Sequence, residues 1–159
     1  MFANHPTNAM YVLNTILGGY FGSRLMENIR EDKGYTYNVY SLLDSMRMDG
    51  CFYIGTEVSN DFVDPTIEQI YLELERLIKE PIPEEELTMV RSYLMGYFLT
   101  MLDGPFNVAE LVKTQIIDGL PDHFFNDLVR KVKQISAEEL QTLAQKYFVK
   151  DELWEVVVG

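Results

Sequence analysis

The sequence predicts an α+β fold: helices packed on one face of a small antiparallel sheet, in two layers, as a single domain over 1–159. Three observations carry that reading. Helical periodicity opens the chain, one period-2 hairpin follows, and a run of further amphipathic helices leads to a closing strand-like segment. A length of 159 residues with 47% hydrophobic content suffices to bury a core without disulfides. No repeat or low-complexity segment divides it.

Taken in order, Pro6 precedes apolar positions Met10, Leu13, Ile16 and Leu17 at helical spacing. Gly18 and Gly19 end that helix, because glycine accepts the left-handed conformation of a helix stop. A second helix over 23–33 stops at Gly34, with Arg30 and Lys33 in its last turn. Tyr35, Tyr37, Val39 and Tyr40 make 35–43 a strand. Past the Asp49-Gly50 turn signal, Phe52, Ile54, Thr56 and Val58 alternate as its antiparallel partner.

Asp64 followed by Pro65 reads as an N-cap with a first-turn proline. Ile67, Ile70, Tyr71, Leu74, Leu77 and Ile78 then mark the inner face of a helix that Pro81 and Pro83 close. Glu84, Glu85 and Glu86 compensate the dipole of the next helix, whose inner face is Leu87, Val90, Leu94, Phe98 and Met101. Asp103-Gly104-Pro105 separates it from a helix through Ala109, Leu111, Val112, Ile116 and Ile117, ending at Gly119. Phe124, Phe125, Leu128 and Val129 belong to a shorter helix, and Ser136-x-x-Glu139 is a capping box ahead of Leu140, Leu143 and Ala144. Trp154–Val158 reads as the last strand. Three strands are few for that many helices, which points to a further strand preceding residue 1.

Composition narrows function. With 13 Lys+Arg against 25 Asp+Glu the net charge is −12, which opposes binding to nucleic acid or to acidic lipid headgroups. No apolar run has the length of a membrane span, and the first ten residues lack the pattern of a signal peptide. Cys51 is the only cysteine, so no intrachain disulfide or cysteine-based metal site forms; it reads as a small packed side chain on a strand. His5 reads as exposed and His123 as a capping-region residue, so no metal ligand is assigned to this chain. Gly18-Gly19-x-x-Gly22 follows a helix and lacks a downstream Lys-Ser/Thr, so it is a helix junction before it is a phosphate cradle. The methionine and aromatic stripes on the helices read as core.

Arg30 and Tyr37 stand apart. A helix–glycine–strand corner can bring a guanidinium and a phenol to one end of the sheet, as paired donors to a carbonyl oxygen or an oxyanion. The plain alternative is that Arg30 complements the helix dipole while Tyr37 packs on the sheet.

A resemblance bears on that choice. LGGYFGSRLMENIREDKGYTYNVYS (Leu17–Ser41) resembles the segment of the pitrilysin/insulinase family of zinc metallopeptidases, relatives of mitochondrial processing peptidase, that reads LGGGFSSRLFQNIREEKGLAYSVYS. The likeness continues over 85–121 and 132–148 to the closing LWEVVVG. It implies one of the repeated α+β domains that pair as a clamshell around a peptide-cleaving chamber. The zinc-binding motif H-x-x-E-H of that family is absent from this sequence. The resemblance therefore implies the C-terminal, non-zinc half, truncated at its start, with zinc held by a partner domain or subunit. On the same ground Arg30 would hold backbone carbonyls of a peptide substrate. The Tyr37 hydroxyl would bond the scissile carbonyl or its oxyanion. A second reading, a proteolytically inactive structural subunit of the same fold, stands beside the first.

Overall fold

The computed structural model describes residues 7–45 and 50–159. His5, Pro6 and the Asp49 half of the turn signal lie outside them. Helix α1 spans Thr7–Gly18, a π-wound helix Met26–Asp32, strand β1 Val39–Ser45 and strand β2 Gly50–Thr56. Helices α2 (Val63–Lys79), α3 (Glu84–Met101), α4 (Pro105–Asp118), α5 (Phe124–Gln134) and α6 (Ala137–Tyr147) follow. The result is a mostly helical fold with a small antiparallel sheet, paired in the register Val39↔Thr56 to Ser45↔Gly50. Among the described residues no helix is long and apolar enough to cross a membrane.

The core forms around α1, whose Val12, Leu13, Ile16 and Leu17 are buried with Leu25 and with Ile29 of the π-wound helix. Leu77, Leu87, Val90, Leu94, Val132, Leu140 and Phe148 close over it from the later helices, each contributing about 1.5–3 kcal/mol of apolar burial. Val39 and Ser41 turn into this core, whereas Tyr40, Leu42 and Tyr53 lie on the open face of the hairpin. Tyr11 is half-buried on α1, and burial followed by the nearby Tyr97 and Tyr93 pushes its hydroxyl up to about 12. A phenol held protonated by the fold contributes stability below its unfolded pKa, near 10, and loses it as pH rises toward 12. Alkaline denaturation is therefore expected to steepen over that window, and Tyr11→Phe to remove the added steepness in urea titrations; parallel curves for both proteins would contradict the assignment.

Several sequence expectations change. The second helix is present, but it is π-wound, with Lys33 N–H donating to the Asn28 carbonyl at 3.0 Å. Strand β1 starts at Val39 rather than Tyr35, so Tyr37 lies on a bend two residues before the sheet. Gly18 and Gly19 are not left-handed; the positive φ angles belong to Gly34, Gly104 and Gly119. Close approach fixes Gly18 instead, because an added Cβ would stand 2.5 Å from the Ser41 nitrogen. Helix α2 begins one residue before Asp64 and has no side-chain cap. At α6 only half of the capping box forms: Ser136 Oγ accepts the Glu139 N–H at 3.2 Å, while the Glu139 carboxylate pairs with Lys131.

Cys51 is exposed on β2, opposite Asp44, rather than packed. Apolar periodicity places a helix at α4 without assigning its positions to the core, and no residue of that helix is buried, with Ile116 and Ile117 exposed. Trp154–Val158 is not a strand among the described residues, and Trp154 is 95% exposed. β-Formers make a strand only where a neighbouring backbone offers a ladder, and this run meets none there.

Candidate functional site

The corner between the π-helix and β1 brings Arg30 and Tyr37 together. The helix is fixed first. Arg24, just before it, forks onto Glu86 of α3 at 2.8 and 2.7 Å, so the acidic first turn of α3 is an inter-helix clamp as well as a dipole partner. Asn28 donates at 2.6 Å to Glu73, which is 2% exposed on α2 and also receives Arg76 at 2.8 Å. A buried carboxylate needs such donors. Leu25, Met26 and Ile29 complete the attachment by burial. Gly34 at φ +67° then turns the chain, and Tyr35 N–H donates back to the Ile29 carbonyl at 3.0 Å.

Tyr37 is held through its neighbours. The Thr36 hydroxyl donates to the Glu57 carbonyl at 2.7 Å and accepts the Asn38 N–H at 3.2 Å. Thr56 of β2 donates to the Asn38 carbonyl at 2.9 Å. The backbone on both sides of Tyr37 is thereby tied to the end of the hairpin, while its side chain is 87% exposed.

The Arg30 guanidinium carbon lies 5.3 Å from the Tyr37 ring centroid and 4.6 Å from that of Phe21. Its ion pair is with the adjacent Glu31 at 3.2 Å. The guanidinium is flanked by two rings, its side chain is 23% exposed, and the Tyr37 hydroxyl makes no hydrogen bond among the described residues. Side by side, these groups can donate to one or two carbonyl oxygens of an extended chain.

Sequence reasoning found Arg30 and Tyr37 but missed Phe21, Glu73 and the Thr36 tie. Phe21 follows Tyr20 in the run between Gly19 and Gly22, and its ring contact with Arg30 is tertiary. The pairing of His123 with Asp127 was also missed, although four-residue spacing on a helix announces it; Nε2 stands 3.5 Å from Oδ2. His123 lies at the N-cap of α5 without a side-chain cap. Among the described residues no three His, Cys, Asp or Glu side chains converge as a metal site. The His123–Asp127 pair has no third ligand there, and Cys51 lies on an exposed strand, so these residues do not fit zinc.

Comparison with known proteins follows from this geometry. Residues 4–94 match the family described as the peptidase M16 inactive domain. The chain is 26% identical over 143 residues to "Uncharacterized zinc protease YmxG" of Bacillus subtilis, covering 89% of the chain and 35% of that relative. It superimposes with a TM-score of 0.80 and 24% identity on a peptidase M16 inactive domain from Pseudomonas fluorescens, covering 90% of the chain and 34% of that structure. A protease from Helicobacter pylori aligns with a TM-score of 0.83 and 20% identity, over 93% of the chain and 36% of the other. The chain thus spans about a third of the length of the curated relatives it matches.

Proposed function

The chain belongs to the peptidase M16 inactive-domain family, and from that premise we propose that it is the non-zinc half of a zinc metalloendopeptidase. In this reading residues 1–159 form one domain, the C-terminal part of a longer protein, and close a proteolytic chamber against a zinc-bearing partner domain or subunit. The outer edges of the hairpin and the Trp154–Val158 run would then join a wider sheet with helices on one face, completing a two-layer arrangement.

Arg30 binds backbone carbonyls of the peptide, and Tyr37 donates its phenolic proton to the scissile carbonyl oxygen as negative charge develops there. The single observation that supports these roles is the Arg30–Tyr37 pair itself, stacked at 5.3 Å with donors left for a ligand. A purely structural arginine would spend its donors on protein acceptors, and among the described residues the acceptor that meets Arg30 is the exposed Glu31. A zinc held by the partner half would supply the activated water, while Arg30 and Tyr37 of this chain would orient the substrate.

The test is separation of the halves. The isolated chain is expected to bind no stoichiometric zinc in a calorimetric titration and to leave casein intact, with cleavage appearing when the zinc-bearing half is added. Chelator-sensitive proteolysis by the isolated chain would refute the assignment.

A further inference from the structure

Phe21 is 66% exposed to solvent, on the turn between α1 and the π-helix. Burial does not account for its place, but its neighbours do. The turn closes with Ser23 N–H on the Tyr20 carbonyl at 3.1 Å. Tyr20 packs at a tilt against Tyr93 of α3, with centroids 4.7 Å apart, and its ring lies so close to Gly22 that a Cβ there would meet it at 2.9 Å. The turn is therefore anchored to α3 through Tyr20, and the next residue, Phe21, sets its ring 4.6 Å from the guanidinium carbon of Arg30. Tyr37 flanks the same guanidinium at 5.3 Å. Apart from these rings, the charged partner of Arg30 among the described residues is the exposed carboxylate of Glu31, one residue away.

We infer that Phe21 is a positioning residue: it fixes the Arg30 guanidinium against a ring so that the N–H edge meets a peptide carbonyl without first losing rotamer freedom. Arginine is rich in rotamer freedom, part of which a flanking ring removes before the ligand arrives. This inference rests on the proposed role of Arg30, so its test has one arm that does not depend on catalysis.

In the full-length protein, phenylglyoxal modification of Arg30 is followed by peptide mass spectrometry, with Arg24 in the same digest as reference. Phe21→Leu is expected to raise the Arg30 rate about two- to five-fold, the factor of one exposed cation–π contact, with Arg24 unchanged and Phe21→Tyr restoring the original rate. A rise at both arginines, or at neither, overturns the inference. In the second arm, turnover of an internally quenched ten-residue peptide should show KM raised by a similar factor in Phe21→Leu and kcat held. An unchanged KM despite faster Arg30 modification would overturn the link to substrate. Arg30→Gln with unaltered kcat/KM would instead sink the reading of Arg30, leaving the ring contact itself intact.

Discussion

Tyr37→Phe is expected to lower kcat by about 10²–10³ in the full-length enzyme, or in the enzyme reconstituted from its halves, with little change in KM. That is the usual loss when one oxyanion donor is removed. The substitution is well matched to the geometry, because the ring that flanks Arg30 at 5.3 Å survives and only the hydroxyl is lost. The backbone ties through Thr36 and Thr56 do not involve the Tyr37 side chain, so the bend should keep its shape. A turnover number within two-fold of the parent would return Tyr37 to a ring that merely steadies Arg30.

Gly18→Ala should destabilise the domain by about 1–3 kcal/mol, or about 3–10 °C in its unfolding midpoint. The added methyl would stand 2.5 Å from the Ser41 nitrogen and 2.7 Å from Ser41 Oγ. Neither can retreat freely: Ser41 is buried on β1, and its hydroxyl donates to the Asn14 carbonyl at 3.1 Å. Separating α1 from β1 would also disturb the strand that follows Tyr37, so peptide turnover should fall with stability. Gly96→Ala is the control. Gly96 lies inside α3 with no atom within 4 Å of a built Cβ, and alanine there should stabilise by about 0.5–1 kcal/mol. Equal behaviour of the two variants in thermal unfolding would refute the close-approach account.

Helices α2 to α6 were legible because punctuation and periodicity agree: Pro83 precedes α3, Pro105 opens α4, and Gly119 closes it in the left-handed region. The hairpin was legible from alternation. What the sequence hid depends on contacts between distant segments. The π-winding of 26–32, the burial of Glu73 beneath Asn28 and Arg76, and the Ser41 approach to Gly18 have no local signature. Periodicity also marks apolar faces without saying whether anything covers them: Leu111, Val112, Ile116 and Ile117 recur along α4, and no residue of that helix is buried. The candidate pair was legible only in part. Spacing and chemistry brought Arg30 and Tyr37 forward, the family resemblance gave them a role, and the ring of Phe21 between turn and guanidinium emerged from three dimensions.

The most direct test of the Arg30–Tyr37 pair is differential binding in the full-length protein. Inhibition by a phosphinic peptide, which mimics the tetrahedral state, is compared with inhibition by a non-cleavable ground-state peptide of the same sequence. A donor that acts on the developing oxyanion should lose about 10²-fold for the phosphinic peptide in Tyr37→Phe, while the ground-state peptide changes by less than about three-fold. Equal losses for both ligands, or no loss for either, would contradict the assignment of Tyr37 to the transition state.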